Sequence, residues 1–264
     1  MTPDWNAEEY AAHFSFVPDY GRDVIRLIEG EKLRVLDLGC GNGTLTKALA
    51  DCGHTVTGLD SSDSQLALAR KLHPDIKFVD GDATDFTFDG QFDAVFSNAV
   101  LHWIDEDRQP DMMSCVRDCL KPHGQFVFEM GGYSNNALIH AELKRQFVLR
   151  GYKYKIPFFF PSAGQYSTIL ESAGFLVTYA HLFPRPTLLE GENGLEEWIK
   201  MFVRKPFGGL PETICNEIRR ATALALKGKL RRDGKCRGPL FLCFLNNIKK
   251  HEPGAAAAPR PPRF

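Results

Sequence analysis

The sequence predicts an α/β fold built on a doubly wound, mostly parallel sheet. Three observations carry this. Five strand-like runs alternate with helical stretches between residues 33 and 130. The first run (Leu33, Val35, Leu36, Leu38) is nearly all apolar, as expected of a strand covered by helices on both faces. It ends in three glycines at alternate positions, Gly39, Gly41 and Gly43, from which the pattern turns helical.

In chain order, residues 1–30 form an N-terminal flap and helix. Trp5, Tyr10, Phe14, Phe16 and Tyr20 are concentrated there, with His13 among them. This stretch precedes the first strand, so it either folds over a ligand or packs aromatics on the core. Tyr10 and His13 are candidate substrate contacts. Residues 21–30 read as a helix ending at Gly30. From Thr44, Leu45, Ala48 and Leu49 share a helical face, and Gly53 suits the position after a helix end. A second strand covers 54–60 and ends in Asp60. Ser61 or Ser62 caps the next helix, which Pro74 stops. A third strand, 76–79, runs into Asp80-Gly81-Asp82-Ala83.

The fourth strand, 92–97, ends in Asn98-Ala99-Val100-Leu101-His102-Trp103. Asp105 opens a helix to Leu120, Lys121-Pro122-His123-Gly124 reads as a turn, and 125–130 is the fifth strand. Beyond it a helix reaches about Arg150. Ile156-Pro157-Phe158-Phe159-Phe160-Pro161 then suits neither an amphipathic helix nor an internal strand. It reads as a cover over a pocket, with Phe159 a candidate substrate contact. Ser162 and Gln165 form a capping box for a helix ending at Gly174. A strand at 175–183, amphipathic helices at 194–204 and 211–228, and an apolar run at 239–245 follow. Residues 253–264 are Ala, Pro and Arg without periodicity and are expected to be disordered. The division is therefore 1–30, a ligand-binding core 31–133, a substrate cover and completion of the sheet 134–252, and the tail.

A net charge of −1 gives no general attraction to nucleic acid or anionic membrane. The basic residues between Lys227 and Arg237 form a short cluster. No run reaches the ~18 apolar residues of a membrane span, and the polar N-terminus is no signal peptide. Seven scattered cysteines complete no metal-ligand set and read as reduced thiols of a cytoplasmic protein. No metal is expected, and the sequence leaves the oligomeric state open.

The glycine loop has two readings. A dinucleotide fingerprint is G-x-G-x-x-G, with the third glycine inside the helix and a pyrophosphate on the helix N-terminus; here the glycines are 39, 41 and 43, the sixth residue after Gly39 is Leu45, and the spacing is G-x-G-x-G. That spacing, preceded by Asp37, resembles motif I of the class I S-adenosylmethionine (SAM) dependent methyltransferases. Asp60, at the end of the second strand, can accept two ribose hydroxyls. The Trp5-Asn6 and Tyr10 opening, the 16–21 stretch, Gly81-Asp82-Ala83 and the Asn98–Trp103 run resemble the trans-aconitate methyltransferase-like branch. The resemblance implies a Rossmann-like, seven-stranded sheet with an antiparallel last strand. It implies SAM as cofactor, held by Gly39, Gly41 and Asp60 with their neighbours Cys40, Asn42, Gly43 and Ser61, with Asp82 and Ala83 at the adenine and Asn98 and Ala99 nearby. The chain departs from the family after Lys235, where the expected Val- and Arg-rich final strand is replaced.

Methyl transfer from a sulfonium needs little acid–base machinery. The protein must hold the nucleophile in line, ~3–3.5 Å from the methyl carbon, and exclude water. His102 is the candidate catalytic residue, as base or as substrate orienter, and Trp103 lines the pocket. A small-molecule acceptor that is an acid would need no base but would need cations, for which Arg145, Arg150, Lys153 and Lys155 are candidates. The competing function is a SAM-binding protein with little turnover that acts as an interaction module.

Overall fold

The computed structural model describes residues 16–185, 189, 191, 193–232, 235–236 and 241–250, with backbone only for 16–20 and from 231 onward. Eight α-helices are described: α1 (Phe16–Ile25), α2 (Thr44–Asp51), α3 (Asp63–Leu72), α4 (Gln109–Cys119), α5 (Ala137–Leu149), α6 (Ala163–Ser172), α7 (Gly194–Phe202) and α8 (Glu212–Leu230). The main sheet contains β1 (Arg34–Leu38), β2 (Thr55–Asp60), β3 (Lys77–Asp80), β4 (Phe92–Asn98), β5 (Leu120–Gly131), β6 (Phe175–Arg185) and β7 (Phe241–Lys250). Its spatial order is β3-β2-β1-β4-β5-β7-β6. The five strands from β3 to β5 are parallel, and β7 runs antiparallel to both β5 and β6. This is a Rossmann-like, mostly parallel sheet.

Strand periodicity divides the core. Leu36 and Leu38 of β1 join Met112, Val116, Phe126, Phe128 and Tyr166 on one face, under α4 and α6. Val35 joins Val24, Leu49, Phe96 and Val127 on the other, under α1 and α2. Both faces are buried, which is why β1 reads as an apolar run. A separate apolar cluster joins α5, α7 and α8 through Leu143, Phe147, Trp198, Ile199 and Ile218, with Tyr152, Tyr154 and Phe158 packed against it. Among the described residues no helix is long and apolar enough to cross a membrane.

Several boundaries differ from expectation. The first described helix runs from Phe16 to Ile25, so Leu27 and Ile28 lie in a turn rather than in the expected helix 21–30. Residues 105–120 do not form one helix. Two 3-10 turns, Leu101–Trp103 and Glu106–Arg108, precede α4, which begins with Pro110 in its first turn. Proline lacks an N–H and is accommodated there because first-turn donors have no intrahelical partner. The expected turn at 121–124 lies within β5: register jumps from Phe92↔Leu120 to Ala94↔Gln125, with His123 at φ 61°. The last apolar strand begins at Phe241 and extends to Lys250, rather than covering 239–245. The capping box at Ser162 and Gln165 is formed as expected. Residues 1–15 and 251–264, including Tyr10, His13 and the terminal tail, lie outside the described residues.

Candidate functional site

Parallel strands bring the ends of β1, β2, β3 and β4 to one edge of the sheet, where an open α/β fold places its ligands. The glycine loop follows β1. Gly39 and Cys40 N–H both donate to the Leu59 carbonyl, at 2.7 and 3.0 Å, which pins the loop to β2. Gly39 and Gly43 adopt φ of 75° and 79°, and a Cβ would meet Val100 at 2.3 Å on the first and Phe78 at 2.7 Å on the second. Glycine is therefore required twice over, by backbone and by space. Asn42 Oδ1 accepts from the Thr44 N–H at 3.2 Å and the Thr44 hydroxyl at 2.8 Å, starting α2. Buried Cys40 has its thiol pushed up by burial, so it contributes no thiolate.

Gly39→Ala is expected to destabilise the fold by about 1–2 kcal/mol through the left-handed backbone and about 1–3 kcal/mol through overpacking. Thermal melts should fall by roughly 5–15 °C.

Asp60 accepts from Gly41 N–H at 2.8 Å through Oδ2 and from Ser62 N–H at 2.9 Å through Oδ1. The Ser61 N–H also favours its ionised form, while burial raises its pKa. Each carboxylate oxygen can accept more than one bond, so Asp60 can hold the loop and bind hydroxyls as well. Among the described residues, the one atom within 4 Å of a Cβ placed on Gly41 is Gln65 Oε1, at 3.9 Å. That oxygen is buried and has no hydrogen-bond partner among the described residues. An open glycine backbone, an unsatisfied acceptor and a carboxylate at the end of β2 with acceptor capacity to spare fit a nucleoside cofactor.

Asp82 lies on the same edge and is exposed. Its Oδ1 accepts from the Thr84 N–H and hydroxyl at 2.8 and 2.7 Å, and these bonds hold its pKa below the usual value. Ala83 beside it is half-buried against the core. Asn98 ends β4, and Ala99 follows at φ 59° with its N–H on the Glu129 carbonyl at 2.8 Å.

Asp37, inside β1, is 2% exposed and accepts from the Thr46 hydroxyl at 2.6 Å. Burial raises its pKa to about 7. A folded value above the usual ~3.9 gives stability that is fully present below about pH 4 and is lost as pH rises through about 7. Asp37→Asn should therefore gain on the parent protein by on the order of 2 kcal/mol between pH 5 and pH 7.5, read from paired urea melts.

His102 sits in the turn after β4. Its Nδ1 accepts from Gly131 N–H at 3.1 Å, and its carbonyl accepts from Phe159 N–H at 2.9 Å. Trp103, Phe158 and Phe160 lie within 5.7, 5.8 and 5.7 Å of its ring. Burial holds its pKa down to about 3. A neutral imidazole that accepts at Nδ1 carries its proton on Nε2 and is a hydrogen-bond donor there, not a base. Trp103 packs edge-on against Phe158 at 4.7 Å.

The cover corrects the sequence reading in two ways. Phe159 packs on the sheet core, 6.3 Å from Tyr166, whereas Phe158 and Phe160 flank His102. Extended backbone sends alternate side chains to opposite sides, so three adjacent phenylalanines cannot share one pocket. That alternation was a usable signal for choosing the pair over Phe159. The expected cationic clamp is not assembled: Arg145 pairs with Glu142 at 2.6 Å, Arg150 bonds Glu217 and Gln146, and Lys153 and Lys155 are exposed. Sequence reading also missed Gln109. Its buried amide donates to the Leu101 and Ile104 carbonyls at 2.9 and 3.0 Å and accepts from the Tyr166 hydroxyl at 2.9 Å, tethering the His102 turn.

A family model described as a methyltransferase domain matches residues 35–124. An uncharacterized methyltransferase of Schizosaccharomyces pombe is 34% identical over 220 residues, covering 79% of this chain and 84% of the relative. A trans-aconitate 2-methyltransferase of Mycolicibacterium gilvum is 30% identical over 234 residues, covering 81% and 86%. The YcgJ protein of Bacillus subtilis has a similar fold, with TM-score 0.60 at 17% identity over 89% of this chain and 100% of that one. An S-adenosylmethionine dependent methyltransferase of Mesorhizobium loti gives TM-score 0.52 at 18% identity, over 86% and 95%. With its G-x-G-x-G loop on the parallel edge, the chain belongs to the class I methyltransferases, enzymes whose cofactor is S-adenosylmethionine.

Proposed function

We propose that the protein methylates an oxygen of a small carboxylic acid. The observation that carries this reading is the neutral His102 donor beside Trp103, Phe158 and Phe160, two residues after Val100, which abuts Gly39 of the glycine loop. SAM, when bound, supplies a methyl group already activated by its sulfonium. Gly39, Cys40, Gly41, Asn42 and Gly43 would approach it by backbone, Asp60 and Ser61 would take its ribose, Asp82 and Ala83 its adenine, and Asn98 and Ala99 would complete the wall. A carboxylate is nucleophilic without deprotonation, so a site with a donor and no base suits it. His102 would orient the acid through Nε2–H, while the aromatic rings exclude water. Tyr10 and His13 would add contacts from the N-terminal flap. The relatives named trans-aconitate 2-methyltransferase support an acidic acceptor.

We also read residues 134–252 as the substrate cover together with the completion of the sheet, and 241–250 as the strand that makes it seven-stranded. Backbone pairing of that segment on both sides supports this.

The test is transfer of labelled methyl to a panel of small mono-, di- and tricarboxylic acids, trans-aconitate included, with identification of the ester. SAM binding with no turnover on any acid would favour an interaction module instead. Because His102 is neutral above about pH 4, kcat should show no inflection near 6.5. A fall in kcat below pH 6.5 that disappears in His102→Gln would mean that His102 titrates as a base.

A further inference from the structure

Just beyond β5, three buried polar atoms have no hydrogen-bond partner among the described residues: Asn135 Oδ1, Asn136 Oδ1 and His140 Nε2. The three residues are 2–3% exposed. A buried polar group left unsatisfied is costly, and a fold that keeps three within six residues needs a reason. Asn136 and His140 are one helical turn apart, and the His140 N–H donates to the Asn136 carbonyl at 3.0 Å.

These residues adjoin the acceptor side of the site. Gly131, whose N–H binds His102, lies so close to Asn135 that a Cβ would fall 2.4 Å from Asn135 Nδ2 and 2.5 Å from Phe160 Cε1. The Phe160 ring is 5.7 Å from His102 and 6.0 Å from His140. Phe158 likewise neighbours both histidines, at 5.8 and 5.7 Å. His140 and His102 thus flank the same phenylalanine pair. The His140 ring is fixed at its other nitrogen, with Nδ1 2.7 Å from the Tyr154 hydroxyl. Burial pushes the Tyr154 hydroxyl up and His140 down to about 4, so both are uncharged near neutral pH. When the hydroxyl donates to Nδ1, the ring proton is on Nε2 and that atom is a donor.

We propose that Asn135, Asn136 and His140 form the polar subsite that binds the methyl acceptor through uncharged hydrogen bonds, with Tyr154 as the positioning residue for His140. The inference rests on the acid-methylating reading above and extends it: the His140 Nε2–H, in the first turn of α5, donates to a carboxylate oxygen of the acid, and the Asn135 and Asn136 amide oxygens, just before that helix, accept from an O–H of the same molecule, a protonated carboxyl or a hydroxyl.

The test uses the full chain saturated with the demethylated cofactor for binding, and with labelled SAM for turnover. Trans-aconitate is the first probe. His140→Phe should raise the acceptor KM by about tenfold or more, with kcat and SAM affinity changed less than about threefold. Tyr154→Phe should have a smaller effect in the same direction. In the parent protein, imidazole nitrogen NMR should show the Nε2–H form of His140, with a resonance that moves when the acid is added. A purely structural role would lower melting temperature and SAM affinity together and leave this resonance unmoved. If an acid is methylated with the same KM by folded His140→Phe, the inference is overturned and the acid-methylating reading stands. If an acid binds and moves the His140 resonance but is not methylated, the subsite stands and that reading falls. If no acid in the panel binds or reacts, both fall. If His140→Phe does not fold, His140→Gln and the NMR measurement decide by the same criteria.

Discussion

Asp60→Ala should weaken SAM binding by ~2–4 kcal/mol, because two hydroxyl bonds to a charged acceptor are lost, each worth at most ~1.5–3 kcal/mol. This corresponds to a change of roughly 30- to 1000-fold in Kd. The structure adds a second reason. Asp60 also accepts the Gly41 N–H, so its removal frees the middle of the glycine loop as well as the proposed ribose contact. Asp60→Asn keeps the shape but turns one acceptor into a donor, so it should lie between the two. Calorimetry with SAM and its demethylated product checks both, with circular dichroism as the control for folding. Unchanged affinity in a folded alanine variant would remove Asp60 from the cofactor site.

Truncation after Arg237 should give insoluble or molten protein, whereas truncation after His251 should leave melting temperature and SAM affinity nearly unchanged. The shorter chain loses β7, which pairs with β5 from Gln125 to Gly131 and with β6 from Phe175 to Arg185. Without it, β5 presents an unpaired edge and the edge strand β6 loses its neighbour in the sheet, a costly arrangement and a template for aggregation. Residues 252–264 include prolines at 253, 259, 261 and 262 and one large apolar side chain. The second expectation rests on this composition, which offers little apolar burial against an ordering cost of ~1–2 kcal/mol per residue. Gel filtration, thermal melts and SAM calorimetry on the two fragments read the difference. A soluble, SAM-binding 1–237 fragment would show β7 to be an appendage.

The parallel strands, the glycine loop and Asp60 were legible because each has a local signature. An apolar run reports burial on both faces, alternate glycines report positive φ, and a carboxylate after a strand reports its position on the ligand edge. The start of α4 was misread although Pro110 was in view, because a first-turn proline marks a start only once the preceding turns are known. The four residues at 121–124 have turn chemistry, and locally they do turn; pairing of the flanking residues with β4 absorbs them into one strand.

By itself the sequence determined the α/β class, the order of its elements, the G-x-G-x-G loop and the carboxylate that faces it, since all of these follow from local periodicity and backbone sterics. Only the tertiary structure decided the chemistry of the acceptor side. His102 became a neutral donor because burial lowers its pKa and because the Gly131 N–H, 29 positions away in sequence, occupies its Nδ1. Arg145 and Arg150 were withdrawn from a clamp by Glu142 and Glu217. Phe158 and Phe160 replaced Phe159, and His140 entered the pocket region through contacts with that pair. The Phe158/Phe160 alternation and the Arg145–Glu142 pair three residues apart had local signals, but the protonation of His102 and the Arg150–Glu217 pair depend on neighbours distant in sequence.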